Sequence, residues 1–315
     1  MPVHFCVSRQ TAEEFIRLFV NRLAYGIQRE KPLPDGSVPY IKQPRPLDSD
    51  AIRMHLNGDL TINLYAINPR TQRSKWVAID ADFDGSLDAL FQLQWELKQD
   101  GVDAALEQSR RGGHLWIFGE KPLLASQCRI YIYNLALRLG VPVKGGGLKE
   151  GIEVFPRQDR IEDGAYGNAI RAPLGVHRKS NRRYWFYEAD LTPEAQLAYL
   201  QGLKKLTSCE LETLTQGMEL PLAYRPPAPV TYIPQTVTTG RREFRILDFV
   251  RTTGKQDSRN WKARCPSCAE AGRDRSQDNL GIKISDPRYY LCRAGCTKEE
   301  IRAALGQPVR KAVTA

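Results

Sequence analysis

The amino-acid sequence predicts a mixed α/β (α+β) body followed by a small module built around cysteines. Amphipathic helical segments and short runs with strand alternation share the first two thirds of the 315 residues. A stretch with five prolines interrupts this pattern at 221–240, and two closely spaced cysteine pairs follow it. These observations divide the chain into a body at 1–220, a linker at 221–240, a module at 241–305 and a tail at 306–315.

The helices and strands are predicted from periodicity and from signals at their ends. Thr11 and Glu14 form a capping-box pattern before an apolar helical face, which predicts a helix at 11–25. The Pro-rich, polar segment 29–49 is predicted to be a loop. Further helices are expected at 86–99, 126–139, 192–202, 208–216 and 242–251, and strands at 60–64, 76–82, 103–108, 115–118, 152–155 and 183–188.

The composition is that of a folded protein rather than a disordered one. Hydrophobic residues make up 42% of the chain and charged residues 26%. No run approaches the roughly 18 consecutive apolar residues that a membrane span needs, and the start MPVHFCVSRQ contains no apolar leader segment. We therefore expect a cytoplasmic protein without a membrane partner.

The positive charge is concentrated near the end of the chain. The net charge is +10, and from Arg241 onward there are 17 Lys or Arg against 9 Asp or Glu, whereas the charges of the body nearly cancel. A basic module on a near-neutral body suggests contact with a polyanion such as nucleic acid. The alternative is that the basic surface only aids solubility.

Two aspartates stand at the end of an apolar strand pattern. In WVAIDADFDG, alternation places Asp80 and Asp82 on one face and the apolar Val77 and Ile79 on the other. Adjacent carboxylates repel each other, and a hard cation such as Mg²⁺ or Mn²⁺ relieves that conflict. The alternative is an exposed turn, which is the better interpretation for Asp84 at the start of the next helix.

A third acid, Glu153, interrupts the apolar segment GIEVFP. Together with the two aspartates it supplies the three carboxylates that a pair of divalent cations needs for phosphoryl-transfer chemistry. Asp159 and Glu162 lie in more polar surroundings and are weaker alternatives for the third ligand.

Two further segments contain groups that suit phosphate binding. In SRRGGHLWIF, Ser109, Arg110, Arg111 and His114 surround a glycine pair that permits close backbone approach to a ligand. An ordinary basic turn is an equally consistent interpretation of that segment. In GNAIRAPLGVHRK, Arg171 lies between apolar residues, so we expect it to bind an anionic ligand or one of the acids. For the charged residues at 177–183, a structural role and a template contact are equally consistent.

The cysteine module has the most specific pattern in the sequence. Cys265 and Cys268 are separated by 23 residues from the pair Cys292 and Cys296, which predicts a structural Zn²⁺ site with four thiolates and no open position. Interleaved basic and aromatic residues suit a single strand, although the aromatic residues could instead form the module's own core. These are Trp261, Arg264, Arg273, Arg275, Lys283, Arg288, Tyr289, Tyr290 and Arg293.

Taken together, these segments resemble the archaeo-eukaryotic primase superfamily, especially its primase-polymerase branch from bacteria, plasmids and phages. The resemblance covers about residues 50–190 and implies a two-lobed catalytic domain with a sheet like that of an RNA-recognition motif. Its acidic metal-binding motifs match Asp80, Asp82 and Glu153. Its phosphate-binding motif matches Ser109 and His114, although the spacing of these two is longer than in some members.

The same resemblance places Arg171 and Asn168 near the nucleotide and makes the cysteine module similar to primase zinc ribbons. It implies a DNA primase-polymerase that uses two Mg²⁺ or Mn²⁺ ions, nucleoside triphosphates and a single-stranded DNA template. The resemblance also allows a replicative helicase as a partner. A metal-dependent nuclease and a non-catalytic replication protein that binds DNA through its ribbon are the alternatives. Deoxynucleotide or ribonucleotide preference is left open.

Overall fold

The computed structural model describes residues 4–34, 36–145, 148–224, 244–272 and 276–307. Internal contacts divide the chain into two compact units, Met1–Ala228 and Pro229–Ala315. Most of the predicted linker, from residue 225 onward, and the predicted tail from residue 308 lie outside the described residues. The domain boundaries at 220 and 240 stay predictions.

The first unit combines six α-helices with ten strands among its described residues. The helices are α1 (Arg9–Phe19), α2 (Ser49–Asn57), α3 (Ser86–Gln99), α4 (Ala125–Leu139), α5 (Pro193–Gly202) and α6 (Ser208–Leu214). The strands are β1 (Tyr25–Gln28), β2 (Tyr40–Lys42), β3 (Ile62–Tyr65), β4 (Arg73–Ala81), β5 (Ala105–Gln108), β6 (Gly113–Leu124), β7 (Glu153–Phe155), β8 (Ala169–Arg171), β9 (Val176–His177) and β10 (Arg182–Arg183). The predicted α/β class is confirmed.

Two four-stranded antiparallel sheets organise this unit. The central sheet has the order β5-β6-β4-β7, and the small sheet has the order β2-β1-β3-β8. Strands β9 and β10 form a separate hairpin. Strands β5 and β6 are consecutive in the chain, whereas β4 pairs with β6 and with the distant β7, so long-range pairing brings together segments that the sequence keeps apart.

The central sheet separates two hydrophobic cores. On one face, Val77 and Ile79 join a core with Leu90 of α3 and Ile132 of α4. On the other face, Ala78 belongs to a second core that includes apolar residues of the small sheet and of α1 and α2. The alternation predicted for β4 is therefore confirmed, and it leaves Asp80 on the face that looks toward the small sheet.

Several local predictions differ from the structure between α1 and β3. The first helix ends at Phe19 rather than at residue 25, because Val20 has extended backbone and β1 begins at Tyr25. The predicted loop 29–49 contains β2, which was not predicted because polar residues and prolines surround it. The helix α2 was not predicted, although Asp48 caps it by accepting a hydrogen bond from the Ala51 amide at 2.8 Å.

The second unit is a small antiparallel sheet with two short helices. It contains β11 (Thr252–Gln256), β12 (Asn260–Ala263), β13 (Leu280–Lys283) and β14 (Tyr290–Cys292), paired in chain order, with α7 (Pro266–Glu270) and α8 (Lys298–Ala303). Ile246, Leu280, Ile282, Ile301 and the four cysteines form its core. In place of the helix predicted at 242–251, a single 3-10 turn spans Ile246–Asp248, and residues 242–243 lie outside the described part.

In the parts of both units that the structure describes, none of the helices has the length and apolar character needed to cross a bilayer.

Candidate active site and cysteine cluster

One side chain from each strand of the central sheet forms a row on the face toward the small sheet. Asp80 on β4 lies directly opposite Glu153 on β7 and His114 on β6, and His114 lies directly opposite Glu107 on β5. Side chains of directly opposed residues share one face of an antiparallel sheet. The row Glu153–Asp80–His114–Glu107 therefore crosses all four strands. Strand pairing brings Glu153 beside Asp80 without any signal in the local sequence.

His114 lies between two carboxylates inside this row. Its Nδ1 is 2.8 Å from Oε2 of Glu107, and its Nε2 is 3.5 Å from Oδ1 of Asp80. Burial alone would lower the pKa of this histidine, but the charges of Glu107 and Asp80 raise it to about 9. His114 is therefore a buried imidazolium at neutral pH, with a proton on each ring nitrogen, and Nδ1 donates its proton to Glu107.

Glu107 is a buried anion at the β5 end of the row. Its side chain is 0% exposed, and it accepts hydrogen bonds from His114, from Trp116 Nε1 at 3.0 Å and from Arg171 at 2.6 Å. Burial would raise the pKa of Glu107, but the cations Arg171 and His114 hold it at about 2. Arg171 was expected to bind an anionic ligand or one of the predicted acids, but its partner in the structure is Glu107, which was not among them.

Asp80 has a buried oxygen that lacks a hydrogen-bond donor. Its Oδ1 makes no hydrogen bond within the described part of the chain, since His114 Nε2 at 3.5 Å is beyond good geometry. Burial opposes ionisation of Asp80, yet its pKa is lowered by His114 and Arg171. A buried, ionised carboxylate oxygen without a donor suits a hard divalent cation.

The other two acids are occupied by cationic side chains. Asp82 binds Arg111, while Glu153 binds Lys144 and, at 3.0 Å, Arg157. Asp80, Asp82 and Glu153 do not form a group with ligand atoms within 4.8 Å of one another in the described structure. Positive side chains thus neutralise Asp82 and Glu153, whereas Oδ1 of Asp80 has no hydrogen-bond donor among the described residues.

A cleft of about 300 Å³ opens beside Asp80 and Asp82. The central sheet and the turn before β6 supply part of its wall, and β8 and the β9–β10 hairpin supply much of the rest. Its polar and charged lining residues are Gln28, Tyr40, Asp80, Asp82, Ser109, Arg110, Arg111, His114, Arg171, His177 and Lys179. Burial, followed by the charges of Arg171 and Arg110, lowers the pKa of His177 to about 4, so this histidine is neutral.

The arrangement of acids, histidine and basic cleft agrees with a comparison of the sequence with protein families. The family model described as "TOTE conflict system, Archaeo-Eukaryotic Primase domain" matches residues 11–214. The chain belongs to this family. The archaeo-eukaryotic primase domain therefore includes all of the row and the whole lining of the cleft.

Solved structures similar to this primase domain include two protein–DNA complexes. The catalytic domain of primase RepB′ with initiator DNA has 13% identity and a TM-score of 0.32, and the match covers 66% of this chain and 93% of that chain. The polymerase domain of Mycobacterium tuberculosis ligase D with DNA has 12% identity and a TM-score of 0.35, covering 66% of this chain and 85% of that chain. A comparison with curated protein sequences finds no match.

Seven of the nine residues predicted for nucleotide and metal binding line the cleft of the primase domain. Glu153 and Asn168 do not. Glu153 is next to Asp80 in the sheet, whereas the side chain of Asn168 accepts a hydrogen bond from Gln158. Asp159, one of the two weaker alternatives for a metal ligand, forms an ion pair with Arg129 at 2.5 Å.

Glu107, Tyr40 and Gln28 belong to this site but were not predicted from the sequence. Glu107 carries a signal like that of Glu153, an acid within an apolar strand pattern, in AALEQ. Tyr40 and Gln28 lie on two strands that pair with each other at the edge of the small sheet. One of these strands falls in the segment that was predicted to be a loop.

The glycine pair before His114 is required by the protein's own packing. A Cβ on Gly112 would lie 2.1 Å from the Ala81 carbonyl oxygen and 2.5 Å from Ser86 Oγ, and one on Gly113 would lie 2.9 Å from Leu90. Gly113 thus lets the start of β6 pack against α3 and β5, and Gly112 lets the turn at 109–112 pack against the end of β4. This contact sets the position of Ser109, whose Oγ is 3.5 Å from Asp82 and accepts a hydrogen bond from the Gly112 amide at 3.2 Å.

In the second unit, the four predicted cysteines come together. Cys265, Cys268, Cys292 and Cys296 place their sulfur atoms within 4.8 Å of one another. Cys268 Sγ is 3.5 Å from Cys292 Sγ and 3.3 Å from Cys296 Sγ. Burial, with neighbouring thiols, raises the pKa of Cys268 to about 11. A metal ion would favour thiolates here, so the donor set fits a tetrahedral ion with metal–sulfur bonds of about 2.3 Å.

The aromatic residues around these cysteines divide between core and surface. Tyr290 is buried in the core of the unit, and Trp261 packs partly against it. Tyr289 is 57% exposed, with the Lys283 ammonium 5.3 Å from its ring centroid. The interpretation of these residues as core is thus correct for Tyr290, while Tyr289 is free to contact a partner. Arg273 and Arg275 lie outside the described residues.

Proposed function

We propose that the primase domain is a DNA-templated nucleotidyltransferase that makes primers on single-stranded DNA and extends them. The observation that supports this most directly is the row Glu153–Asp80–His114–Glu107 beside a cleft with four Arg or Lys side chains. Acids and cations beside one cleft match the needs of phosphoryl transfer, which is catalysed mainly by positioning and charge stabilisation.

The cleft cations bind the triphosphate of the incoming nucleotide. Arg110 and Lys179 are exposed and have no carboxylate partner in the described structure, so their charges are available to phosphate. His114 donates a charge-assisted hydrogen bond to a phosphate oxygen from a fixed position, because Glu107 holds its other nitrogen. Ser109 adds a neutral donor at the same end of the cleft.

The residues that would hold two divalent cations are Asp80, Asp82 and Glu153. When bound, such ions lower the pKa of the primer 3′-hydroxyl and neutralise charge on the triphosphate. Asp80 is ready for this role because its buried oxygen has no donor in the described part of the chain. Asp82 and Glu153 must exchange their ion pairs with Arg111, Lys144 and Arg157 for the cations. Arg111 then becomes available to phosphate.

The cysteine module holds one structural Zn²⁺ and contacts the template. Its four thiol ligands leave no open position for substrate. Tyr289, Lys283 and Lys298 form an exposed aromatic and basic surface, since both ammonium groups lie within 5.7 Å of the Tyr289 ring centroid. Such a surface suits stacking on a base and neutralisation of a phosphate.

A primer-synthesis assay tests the proposed function. The full-length protein is incubated with unprimed circular single-stranded DNA, labelled nucleoside triphosphates of either sugar type, and Mg²⁺ or Mn²⁺. We expect labelled oligonucleotides that require both template and metal. A nuclease would shorten a linear strand and incorporate no label, and that result would overturn the proposal.

Aspartate variants connect the activity with the site. Asp80→Ala and Asp82→Ala are each expected to reduce dinucleotide formation by about 100-fold or more, because each removes a ligand for the cations. Asp84→Ala is the matched control, since Asp84 is exposed and only two positions away. Wild-type dinucleotide synthesis by Asp80→Ala would contradict the proposed mechanism, provided that its thermal unfolding matches that of the control.

A further inference from the structure

The wall of the cleft continues along one face of the small sheet. Tyr40 and Ala169 both line the cleft. Lys42 follows Tyr40 by two positions on β2, and Tyr65 lies directly opposite Ala169 in the ladder between β3 and β8. Residues two apart on a strand, and residues directly opposed across a ladder, share a face. Lys42 and Tyr65 therefore lie on the same side of the sheet as the cleft.

Two tyrosine rings and a lysine meet where this face ends. The ring centroids of Tyr65 and Tyr166 are 5.2 Å apart, and the Lys42 ammonium is 3.3 Å from the Tyr166 centroid. Lys42 is exposed and both tyrosines are half-buried. We call Tyr65, Tyr166 and Lys42 the tyrosine platform. Aromatic rings with an adjacent cation are the elements with which proteins bind single strands.

Arg22 holds the tyrosine platform in place. Its guanidinium donates a hydrogen bond to the Ala165 carbonyl at 3.0 Å and lies 5.2 Å from the Tyr166 ring centroid. The loop that carries Tyr166 is therefore tied to the end of α1 by a hydrogen bond and a cation–π contact. A ring that is already fixed loses little conformational entropy when a ligand stacks on it.

The strip of the small sheet between the cleft and the platform carries no acid on its four strands. Gly26 lies between Lys42 and Asn63 in the strand register, and its amide donates to Asn63 Oδ1 at 2.6 Å. A Cβ on Gly26 would be 2.9 Å from the same oxygen, so glycine keeps this strip free of a side chain. The residues that share this face in β1, β2, β3 and β8 are Gly26, Gln28, Tyr40, Lys42, Asn63, Tyr65, Ala169 and Arg171.

We propose that the tyrosine platform binds the single-stranded DNA where it leaves the catalytic cleft. Bases stack on Tyr65 and Tyr166, and Lys42 neutralises a phosphate. The rise from Tyr40 to Lys42 is about 7 Å, which corresponds to about two stacked nucleotides. The platform thus contacts the strand about two nucleotides beyond the part that lies beside Tyr40. That the bound strand is DNA rests on the proposed function, whereas the presence of a strand-binding surface does not.

Photocrosslinking tests the location directly. A single-stranded oligodeoxynucleotide of about 15 nucleotides, with thymines replaced by 5-iodouracil, is irradiated with the full-length protein in EDTA. Crosslinked peptides are then identified by mass spectrometry. We expect crosslinks on the peptides that contain Tyr65 and Tyr166. Crosslinks confined to the cysteine module or to other peptides would overturn the proposal, whatever the overall affinity.

Variants at the platform separate ring stacking from other effects. Tyr166→Ala is expected to abolish its own crosslink and to weaken binding of the oligodeoxynucleotide about tenfold, whereas Tyr166→Phe keeps the ring and binds normally. Trp95→Ala is the matched control, because Trp95 is 65% exposed but lies on α3, against the opposite face of the central sheet. An equal loss in Tyr166→Ala and Trp95→Ala would contradict a specific platform.

Lys42→Gln probes the charge. It is expected to reduce the slope of log affinity against log salt by about one phosphate contact, whereas Lys121→Gln, at an exposed position on β6, leaves the slope unchanged.

The crosslinking and binding assays contain no divalent cation and no nucleotide. A protein that crosslinks at the platform but makes no primers would contradict the proposed function alone. A protein that makes primers but does not crosslink there would contradict the platform alone.

Discussion

Glu107 Oε2 lies 2.8 Å from Nδ1 of His114 in the interior of the central sheet. The same carboxylate also binds Arg171, so one anion without contact with solvent is paired with two cations. Removing one partner from a buried ion pair typically costs about 3–5 kcal/mol. We expect Glu107→Gln to lower the free energy of unfolding by that amount, measured by urea denaturation monitored by circular dichroism.

An exposed ion pair provides the comparison for Glu107. Glu13 binds Arg9 at 3.1 Å on α1, with both side chains at least half exposed. Glu13→Gln is expected to cost less than about 1 kcal/mol, because solvent screens the interaction. Similar losses in the two variants would mean that the Glu107 carboxylate does not stabilise the fold in the way its contacts indicate.

Gly112 is expected to tolerate no larger residue. In Gly112→Ala the new methyl group meets the Ala81 carbonyl oxygen at 2.1 Å, so the turn at 109–112 or the end of β4 must shift. Overpacking of this kind costs about 1–3 kcal/mol, and the shift displaces Asp82 and Ser109 as well. We predict a lower melting temperature together with a loss of primer synthesis of at least about tenfold.

Gly202 is the matched glycine for this test. It ends α5 and does not have a positive φ, and a Cβ added to it would meet no atom of the described residues within 4 Å. Gly202→Ala is therefore expected to be neutral or to stabilise the protein by up to about 1 kcal/mol. If Gly112→Ala melts no lower than Gly202→Ala, the close packing of the turn against β4 is refuted.

His55 is expected to make stability depend on pH. Its Nε2 donates to the Pro173 carbonyl at 2.9 Å and its Nδ1 accepts from the Ile62 amide, which fixes a neutral ring. Burial lowers the pKa of His55 to about 3. The unfolded chain binds a proton below about pH 6.5 while the folded protein does not. Above about pH 6.5 the His55 ring is neutral in both states, so it does not change the free energy of unfolding. Below that pH the free energy of unfolding falls by about 1.4 kcal/mol per pH unit.

Urea titrations between about pH 7 and pH 5 measure this dependence. His55→Gln is expected to be less stable at pH 7 but to show a shallower dependence on pH than the wild type. His4→Gln serves as control because His4 is largely exposed, with 64% of its side chain accessible. An unchanged dependence in His55→Gln would show that His55 is not the responsible group.

Metal removal is expected to affect the cysteine unit specifically. The wild-type protein should contain one zinc ion per chain by elemental analysis, and Cys268→Ser should lose it. Because cysteines form much of the core of this unit, we expect chelation to make residues 244–307 sensitive to protease. Cys209→Ser, at an exposed position on α6, keeps the zinc. Zinc retention by Cys268→Ser, or equal protease resistance after chelation, would contradict this assignment.

Strand alternation predicted the faces of β4 correctly because both faces meet a core. Val77 and Ile79 pack on one side and Ala78 on the other, so Asp80 could be assigned to a face from the local pattern alone. The four cysteines were predictable for a different reason. A tetrahedral metal site requires closely spaced pairs of cysteines, so their spacing can be recognised without knowledge of the rest of the fold.

The partners of each site residue could not be read from the sequence. Glu107 and Arg171 are 64 positions apart, and only the meeting of the two sheets brings them together. The sequence around a single Glu in a strand pattern does not indicate whether its carboxylate is buried or exposed. The cleft-lining Tyr40 was missed because β2 is three residues long and is surrounded by prolines and charges.

The order of the strands along the chain also has a consequence during protein synthesis. Glu107 and His114 leave the ribosome well before Arg171, whose guanidinium neutralises Glu107 in the finished sheet. A nascent chain that ends before β7 can pair β4, β5 and β6, yet it lacks both Glu153 and this arginine. The row is then incomplete, with a carboxylate to be buried and no guanidinium beside it. We therefore expect the central sheet to pack stably against the small sheet only after β8 has been synthesised.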